Sequence, residues 1–308
     1  MVKRMLESII IIGTIVGLIY AIIALGFTLV YGISGIVNLT HGVFIVVGAY
    51  LYGVLSDYLL KINIFPPESP YLIPIIAMFL SFIFTAAIGS IFYRLTLHQI
   101  LGDEISILIA SICSCLIFQK LIYITLGTSQ AFAYRISPLA YGKIRIINTD
   151  VLTGQALAGT ISLITFIALS IFISKTKVGR AMKALSQDLE ASMLMGISTE
   201  KLYMLTTAIS AGLGSLGGIL YTSTVTFGVA SYMWMSGLAV SFTVVVLGGL
   251  GSVKGSLLGG LILGLAEISA MTILPGAGVL QSSIPFIVII LVLIIRPKGL
   301  FGKRIEME

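Results

Sequence analysis

The feature that most constrains this chain is the length of its apolar runs. Stretches of about 20 residues with few charged side chains recur along the sequence, and about 20 helical residues cross the roughly 30 Å hydrocarbon core of a bilayer. Strands of a membrane barrel would instead alternate in polarity over about 10 residues. The sequence therefore predicts an all-α integral membrane protein, a bundle of eight or nine transmembrane helices. The predicted spans are Ser8–Tyr31, Ile36–Leu60, Tyr71–Tyr93, Ile105–Leu126, Thr153–Ile173, Lys201–Tyr221, Met235–Leu250, Gly255–Ile273 and Ser282–Ile295.

The composition leaves this chain little material for chemistry. It is 58% hydrophobic and 10% charged, and its two histidines, His41 and His98, have no Cys, Asp or Glu at metal-ligand spacing. The nearest approach to a phosphate-binding GxxxxGK[ST] loop is Gly248–Gly255, in which the lysine precedes a glycine instead of following one. We therefore expect a chain that is not an enzyme and holds no metal and no cofactor. Any nucleotide hydrolysis would belong to another subunit.

One membrane domain over residues 1–308 is predicted, because no linker, low-complexity run or soluble domain interrupts the apolar runs. The second span has an unusual beginning, since glycines and a polar residue occur close together there. These residues are Gly32, Gly35, Asn38 and Gly42. Residues 36–60 are therefore either a full span or a broken helix.

The basic residues lie in loops and do not form one patch, which argues against a nucleic-acid partner. One cluster follows the fifth span and another forms the tail: Lys175, Lys177, Arg180, Lys183 and Lys201, then Arg296, Lys298, Lys303 and Arg304. The positive-inside rule predicts that both clusters, and hence the C-terminus, lie in the cytoplasm, for a multi-pass protein of the cytoplasmic cell membrane. Counting back places residues 94–104 inside and 127–152 outside. The side of the N-terminus stays open, because nine full spans would put the basic Lys3 and Arg4 outside.

Three polar side chains inside the predicted spans are candidates for the solute path, because burying a polar group in a membrane is costly without a partner. Asn38 and His41 would share a helix face, and they either line the path or form a hydrogen-bonded plug at a helix break. Glu267 either contacts the solute or relays a proton, or it forms a hydrogen bond to a neighbouring helix. The residues alone leave these alternatives open.

The polar segment from Ser174 to Glu200 interrupts the bundle with a predicted amphipathic helix. Its apolar stripe recurs at about one helical turn and consists of Ala181, Leu185, Leu189 and Met193. Gly196 is expected to end this helix, because glycine tolerates the positive φ of a helix C-terminus. The segment is either a solvated helix that lies along the membrane or a lever that a cytosolic partner grips.

Four separated stretches carry a resemblance to a known family. They are GLIYAIIALGFTLVYGISG at Gly17–Gly35, VNLTHGVFIVVGAY at Val37–Tyr50, the segment Gly179–Ile197, and LGGLGSVKGSLLGGLILGLAE at Leu247–Glu267. In this order they resemble the branched-chain amino acid ABC permeases of the LivH type. The resemblance implies a single ABC-importer permease domain in which residues 179–196 form the cytoplasmic coupling helix. The residues implied to couple to the ATPase are Gly179, Arg180, Asp188, Ala191 and Gly196.

The resemblance also implies cargo and partners. The chain would translocate branched-chain or other hydrophobic amino acids together with a second homologous permease, two ATP-binding subunits and an extracytoplasmic substrate-binding protein, surrounded by membrane lipids. The sequence departs from the family at Val240, where many LivH-type chains have a lysine, so a permease for urea or short amides is an alternative. A transporter driven by an ion gradient is a further alternative, although it would need more intramembrane carboxylates than Glu267.

Overall fold

The structure, a computed structural model, describes residues 2–62, 72–126, 142–222, 230–273, 283–296 and 299–300. Within these ranges the chain forms eleven α-helices and one antiparallel hairpin. The helices are α1 (Val2–Ser34), α2 (His41–Ile62), α3 (Leu72–Leu95), α4 (Glu104–Leu126), α5 (Thr153–Lys175), α6 (Lys177–Leu185), α7 (Leu189–Leu194), α8 (Thr199–Thr222), α9 (Trp234–Gly248), α10 (Val253–Ile273) and α11 (Ile284–Ile295). The strands are β1 (Lys143–Ile146) and β2 (Thr149–Leu152). Residues 127–141 of the predicted outer loop and Lys298, Lys303 and Arg304 of the basic tail lie outside the described residues.

The predicted membrane bundle is confirmed, because eight helices in the described ranges are long and apolar enough to cross a bilayer. The ninth predicted span corresponds to α11, which has 12 residues and is therefore about 18 Å long. The second span is a continuous helix from His41 onwards. Of the glycines near its beginning, Gly32 lies in α1 and Gly42 in α2, and Gly35, with a φ of +68°, belongs to the connection between them. The interruption therefore sets where α2 begins and does not break it.

The helix α1 lies at the centre of the bundle, where it contacts α5, α8, α9 and α10. Its residues 19–25 are almost completely buried. The approach to α10 is especially close, because a Cβ on Gly17 would lie 2.7 Å from the Cα of Leu261. Small residues of this kind let dispersion forces hold helices together in lipid, where no hydrophobic effect drives their association.

The β1–β2 hairpin marks one end of the bundle, and α6 and α7 mark the other. The hairpin lies beside the start of α1, since Asn148 Nδ2 donates a hydrogen bond to Glu7 Oε2 at 3.2 Å. The helix α5 runs from the hairpin to α6, so the start of α1 lies at the end opposite to α6 and α7. The connection after α3 lies at the α6–α7 end, because His98 Nε2 is 3.6 Å from Glu200 Oε1 at the start of α8.

Candidate functional site

The predicted coupling segment begins with α6, which folds back tightly on the end of α5. Thr176 caps α6, and its Oγ1 accepts the backbone N–H of Gly179 at 3.0 Å. Gly179, Met182 and Leu185 are the buried residues of this helix. A Cβ on Gly179 would lie 2.5 Å from the Cα of Ile173 in α5. Gly179 therefore serves the packing of α6 on α5 and is not exposed for contact with a partner.

The segment continues as a second helix, α7, and differs in this respect from the single helix predicted over Gly179–Gly196. The break falls at residues 186–188, where Asp188 has an extended backbone with φ −154° and ψ 112°. Its Oδ1 accepts the backbone N–H of Ala191 at 2.9 Å. A carboxylate at this position satisfies a donor that the helix leaves unpaired, and it faces the positive end of the helix dipole. Asp188 is thus the residue that starts α7.

Gly196 ends α7 with the positive φ that the sequence predicts. Its φ is +80°. The N–H of Gly196 donates to the carbonyl of Met193 at 3.0 Å, and the N–H of Ile197 donates to the carbonyl of Ser192 at 3.1 Å. These two bonds form the Schellman pattern of helix termination. No atom lies within 4 Å of a Cβ built on Gly196, so the backbone conformation alone favours glycine there.

The apolar stripe predicted along the segment is buried in α6 and exposed in α7. Leu185 is 3% exposed, whereas Leu189 and Met193 of the same stripe are 43% and 49% exposed. The chain leaves helical geometry at residues 186–188, so the buried face of α6 does not continue along α7.

The sequence-based predictions did not include two exposed residues of this segment, which are Leu194 and Met195. They are 88% and 83% exposed, although both are large and apolar. The run Met193-Leu194-Met195 was a usable signal, because three consecutive side chains cannot share one helix face. We call Leu189, Met193, Leu194 and Met195 the α7 surface. The predicted coupling residues Arg180, Asp188, Ala191 and Gly196 are also exposed.

Asn38 and His41 do not share a helix face, because α2 begins at His41 and Asn38 lies in the turn before it. Asn38 Oδ1 accepts the N–H of Thr40 at 3.0 Å, and the residue lines a pocket whose space, including its open mouth, is about 350 Å³. The buried His41 ring places Nε2 2.8 Å from the carbonyl of Ile23 and Nδ1 3.1 Å from Ser210 Oγ. A carbonyl only accepts, so Nε2 carries a proton and donates it to the carbonyl of Ile23. These contacts fit the hydrogen-bonded plug, and a role of either residue in the solute path stays a prediction.

Glu267 is 1% exposed and forms a hydrogen bond across the α1–α10 interface. The hydroxyl of Tyr20 donates to its Oε2 at 2.6 Å, and the Tyr20 ring lies 6.0 Å from the ring of Tyr221. Tyr20 is one turn from Ile23, the residue that accepts the bond from His41. The same stretch of α1 thus holds both buried polar groups. The contact is the inter-helix hydrogen bond that was one of the two alternatives, and a direct role in transport stays a prediction.

Titratable groups are sparse in the part of the chain that the structure describes. No group of three or more His, Cys, Asp or Glu side chains is placed there to hold a metal ion. Asp103, in the connection before α4, accepts from the hydroxyl and the backbone N–H of Ser106. These bonds stabilise the carboxylate and lower the pKa of Asp103 below its usual value.

The family model and the curated relatives that are similar to this chain point to the same family of proteins. Residues 9–293 match the family described as branched-chain amino acid transport system, permease component. The chain is 30% identical, over 296 residues and 94% of each chain, to the high-affinity branched-chain amino acid transport system permease protein LivH of Salmonella typhimurium. It is 29% identical, over 94% of each chain, to the corresponding protein BraD of Pseudomonas aeruginosa. Among solved structures it is similar to PsaBC from Streptococcus pneumoniae in complex with Fab, with a TM-score of 0.49, 15% identity and coverage of 96% and 95%.

Proposed function

The chain belongs to the family of branched-chain amino acid transport system permease components, and on this premise we propose that it forms one half of the membrane path of an ATP-driven importer. The proposed cargo is branched-chain or other hydrophobic amino acids. The family match over residues 9–293 carries the proposal. It favours this function over a permease for urea or short amides and over an ion-driven transporter. The eight candidate spans supply the helices that such a path requires.

The proposed assembly contains a second homologous permease, two ATP-binding subunits and an extracytoplasmic substrate-binding protein. The α7 surface supports docking of an ATP-binding subunit, because Leu194 and Met195 are large apolar side chains exposed at a polar end of the bundle. Apolar side chains grouped with charged ones, such as Arg180 and Asp188, are typical of a protein interface. ATP would be bound by the partner subunits, so this chain needs no nucleotide of its own.

Closure of the ATP-binding subunits would move α7, and α6 would transmit this motion to the bundle. Met182 and Leu185 of α6 form one apolar cluster with Leu202 of α8, and Phe172 of α5 packs against it. Both α5 and α8 contact α1, whose residues bind His41 and Glu267. The motion would therefore reach the centre of the bundle. Nucleotide can shift the bundle between two access states only if the assembly binds it differently in each.

Reconstitution tests the function directly. Proteoliposomes that contain this chain with its partner permease and ATP-binding subunits should take up labelled leucine when ATP and the binding protein are present. Excess urea should not compete, and collapse of ion gradients by ionophores should not stop uptake. The chain purified alone should bind no ATP, and saturable ATP binding by the isolated chain would contradict the proposal.

We also propose that the α6–α7 end of the bundle faces the cytoplasm, as the basic cluster there indicates. The N-terminus would then face outside, because it lies at the hairpin end. Single cysteines at Lys177 and Asp150, both exposed, test this in a chain with Cys113→Ala and Cys115→Ala. A membrane-impermeant maleimide should label Asp150→Cys in intact cells, and Lys177→Cys only after lysis. The opposite pattern would reverse the orientation.

A further inference from the structure

A cavity lies at the α6–α7 end of the bundle, beside the helix α6 that the proposed transport cycle would move. It contains about 920 Å³ of space, including its open mouth. Its walls come from the last turns of α1 and α5, from α6, and from the turn that leads into α10. Four elements that are distant in sequence therefore meet around one space, and a molecule bound there would contact all of them.

The charge of the cavity is positive. Lys183 of α6 and Lys254 of α10 line it, and among the described residues no aspartate or glutamate does. Neither lysine forms an ion pair within the described residues, where the salt bridge found joins His98 and Glu200. Ser186 and Ser252 line the same space, and the Ser186 hydroxyl already donates to the carbonyl of Lys183, whereas the Ser252 oxygen accepts the N–H of Gly255 and can still donate its own hydrogen. Two cations without an ion-pair partner in the described residues, together with the Ser252 hydroxyl, favour an anion with several acceptor oxygens.

The remaining wall is apolar and reaches into the membrane-spanning part of the bundle. It includes Leu29 of α1, Ile173 of α5 and Met182 of α6. Ser170, which also lines the cavity, lies about five residues before the end of α5, or about 8 Å along the helix axis. The cavity thus extends from the polar end of α5 into the part of the helix that is a candidate membrane span. A small inorganic anion would use its polar rim and leave the apolar wall uncovered.

We propose that this cavity binds an anionic phospholipid, with the phosphate held by Lys183 and Lys254 and the first part of an acyl chain against Leu29 and Ile173. Basic pockets between transmembrane helices are suited to such headgroups, because charge and apolar burial act on the same molecule. The bound lipid would connect α6 to α1 and α10. The position of α6 would then depend on the lipid composition of the membrane. This inference does not depend on the proposed transport function.

Native mass spectrometry of the full chain in mild detergent tests the proposal, with phosphatidylglycerol or phosphatidylcholine titrated as the probe. We expect phosphatidylglycerol to bind at least tenfold more tightly than phosphatidylcholine. The double variant Lys183→Gln with Lys254→Gln should weaken phosphatidylglycerol binding roughly 10- to 30-fold and leave phosphatidylcholine unchanged. The double variant Lys183→Arg with Lys254→Arg keeps both charges and should bind as the original chain does.

The matched control is Lys177→Gln with Lys201→Gln, which removes the same charge from exposed positions at the same end that do not line the cavity. It should change binding by less than about twofold, since solvent screens distant surface charges. Equal binding of the two lipids, or equal losses in the two glutamine variants, would overturn the proposal.

Equilibrium dialysis with labelled inorganic phosphate tests whether the site binds free phosphate instead of a lipid headgroup. Lysine-dependent binding of phosphate without retention of phosphatidylglycerol would assign a small-anion site and reject the lipid. Unfolding temperatures of all variants identify any that fail to fold, and in that case the comparison of phosphatidylglycerol with phosphatidylcholine on the original chain still decides the role of charge.

Discussion

The helices α6 and α7 follow each other along the chain, and both carry apolar and charged side chains, yet α6 packs into the bundle and α7 is largely exposed. In α6, Gly179, Met182 and Leu185 are buried. In α7, which the structure describes completely, Ser192 alone is buried. The helix α7 is defined instead by hydrogen bonds at its two ends. A helix with no core of its own can thus be specified by its caps, which leaves its apolar side chains free for a partner.

The variant Gly179→Val should disrupt the packing of α6 on α5, and it should reduce stability more than the other test variants in this comparison of α6 with α7. The added atoms would meet the backbone of α5, which cannot move aside as a flexible side chain can. We expect the free energy of unfolding to fall by about 3 kcal/mol or more, the upper range for overpacking. Denaturant unfolding in detergent measures this loss. The control Ala191→Val adds bulk at an exposed position of α7 and should stay within about 0.5 kcal/mol.

The double variant Leu194→Asp with Met195→Asp tests the exposed side of the comparison. Both side chains already face solvent, so we expect the unfolding free energy to change by about 1 kcal/mol or less. Recovery of the ATP-binding subunit in a pull-down should fall about tenfold or more, because charges would replace apolar contacts in the interface. Leu185→Asp is the matched variant in α6, and it should prevent folding. Full recovery of the subunit with the double variant would remove the α7 surface from the docking role.

The variant Gly196→Val tests whether the positive φ at the end of α7 requires glycine. No neighbouring atom opposes the new side chain, so its cost comes from the positive φ, which is about 1–2 kcal/mol for a residue with a Cβ. Gly196→Asn is the control and should lose less, since asparagine tolerates this conformation better. Unfolding measurements compare the two variants. Equal losses for Asn and Val would show that the backbone conformation does not determine the choice of glycine.

The smallest effect is expected for Asp188→Asn, which keeps an acceptor for the N–H of Ala191 and removes the charge. Stability should stay within about 0.5 kcal/mol, whereas Asp188→Ala should lose about 1 kcal/mol with the cap. If Asp188 also forms an ion pair with the ATP-binding subunit, the Asn variant should recover about twofold less of that subunit in a pull-down. This is the size of effect that exposed charge pairs usually have. Unchanged recovery would limit Asp188 to capping α7.

The sequence by itself determined the membrane bundle. The predicted span Thr153–Ile173 differs from α5 (Thr153–Lys175) only at its end, and most other long spans agree within two residues at each end. The first two agree less well, because α1 begins six residues before its predicted start and α2 begins five residues after its own. Span length could be predicted because it depends on a local run of apolar side chains, and a membrane-spanning helix must be apolar across the hydrocarbon core of the bilayer. The end of α7 at Gly196 was also predictable, since a positive φ is a local backbone property that favours glycine.

Only the tertiary structure decided which polar groups meet and which apolar groups are covered. Glu267 and its donor Tyr20 are 247 residues apart in sequence, and the spacing of neither residue indicates the other. Likewise, one periodic stripe includes Leu185 and Leu189, yet Leu185 is buried and Leu189 is not. Periodicity is a property of one helix, whereas burial requires a second surface. Here that surface comes from α5 and α8, which cover the buried face of α6.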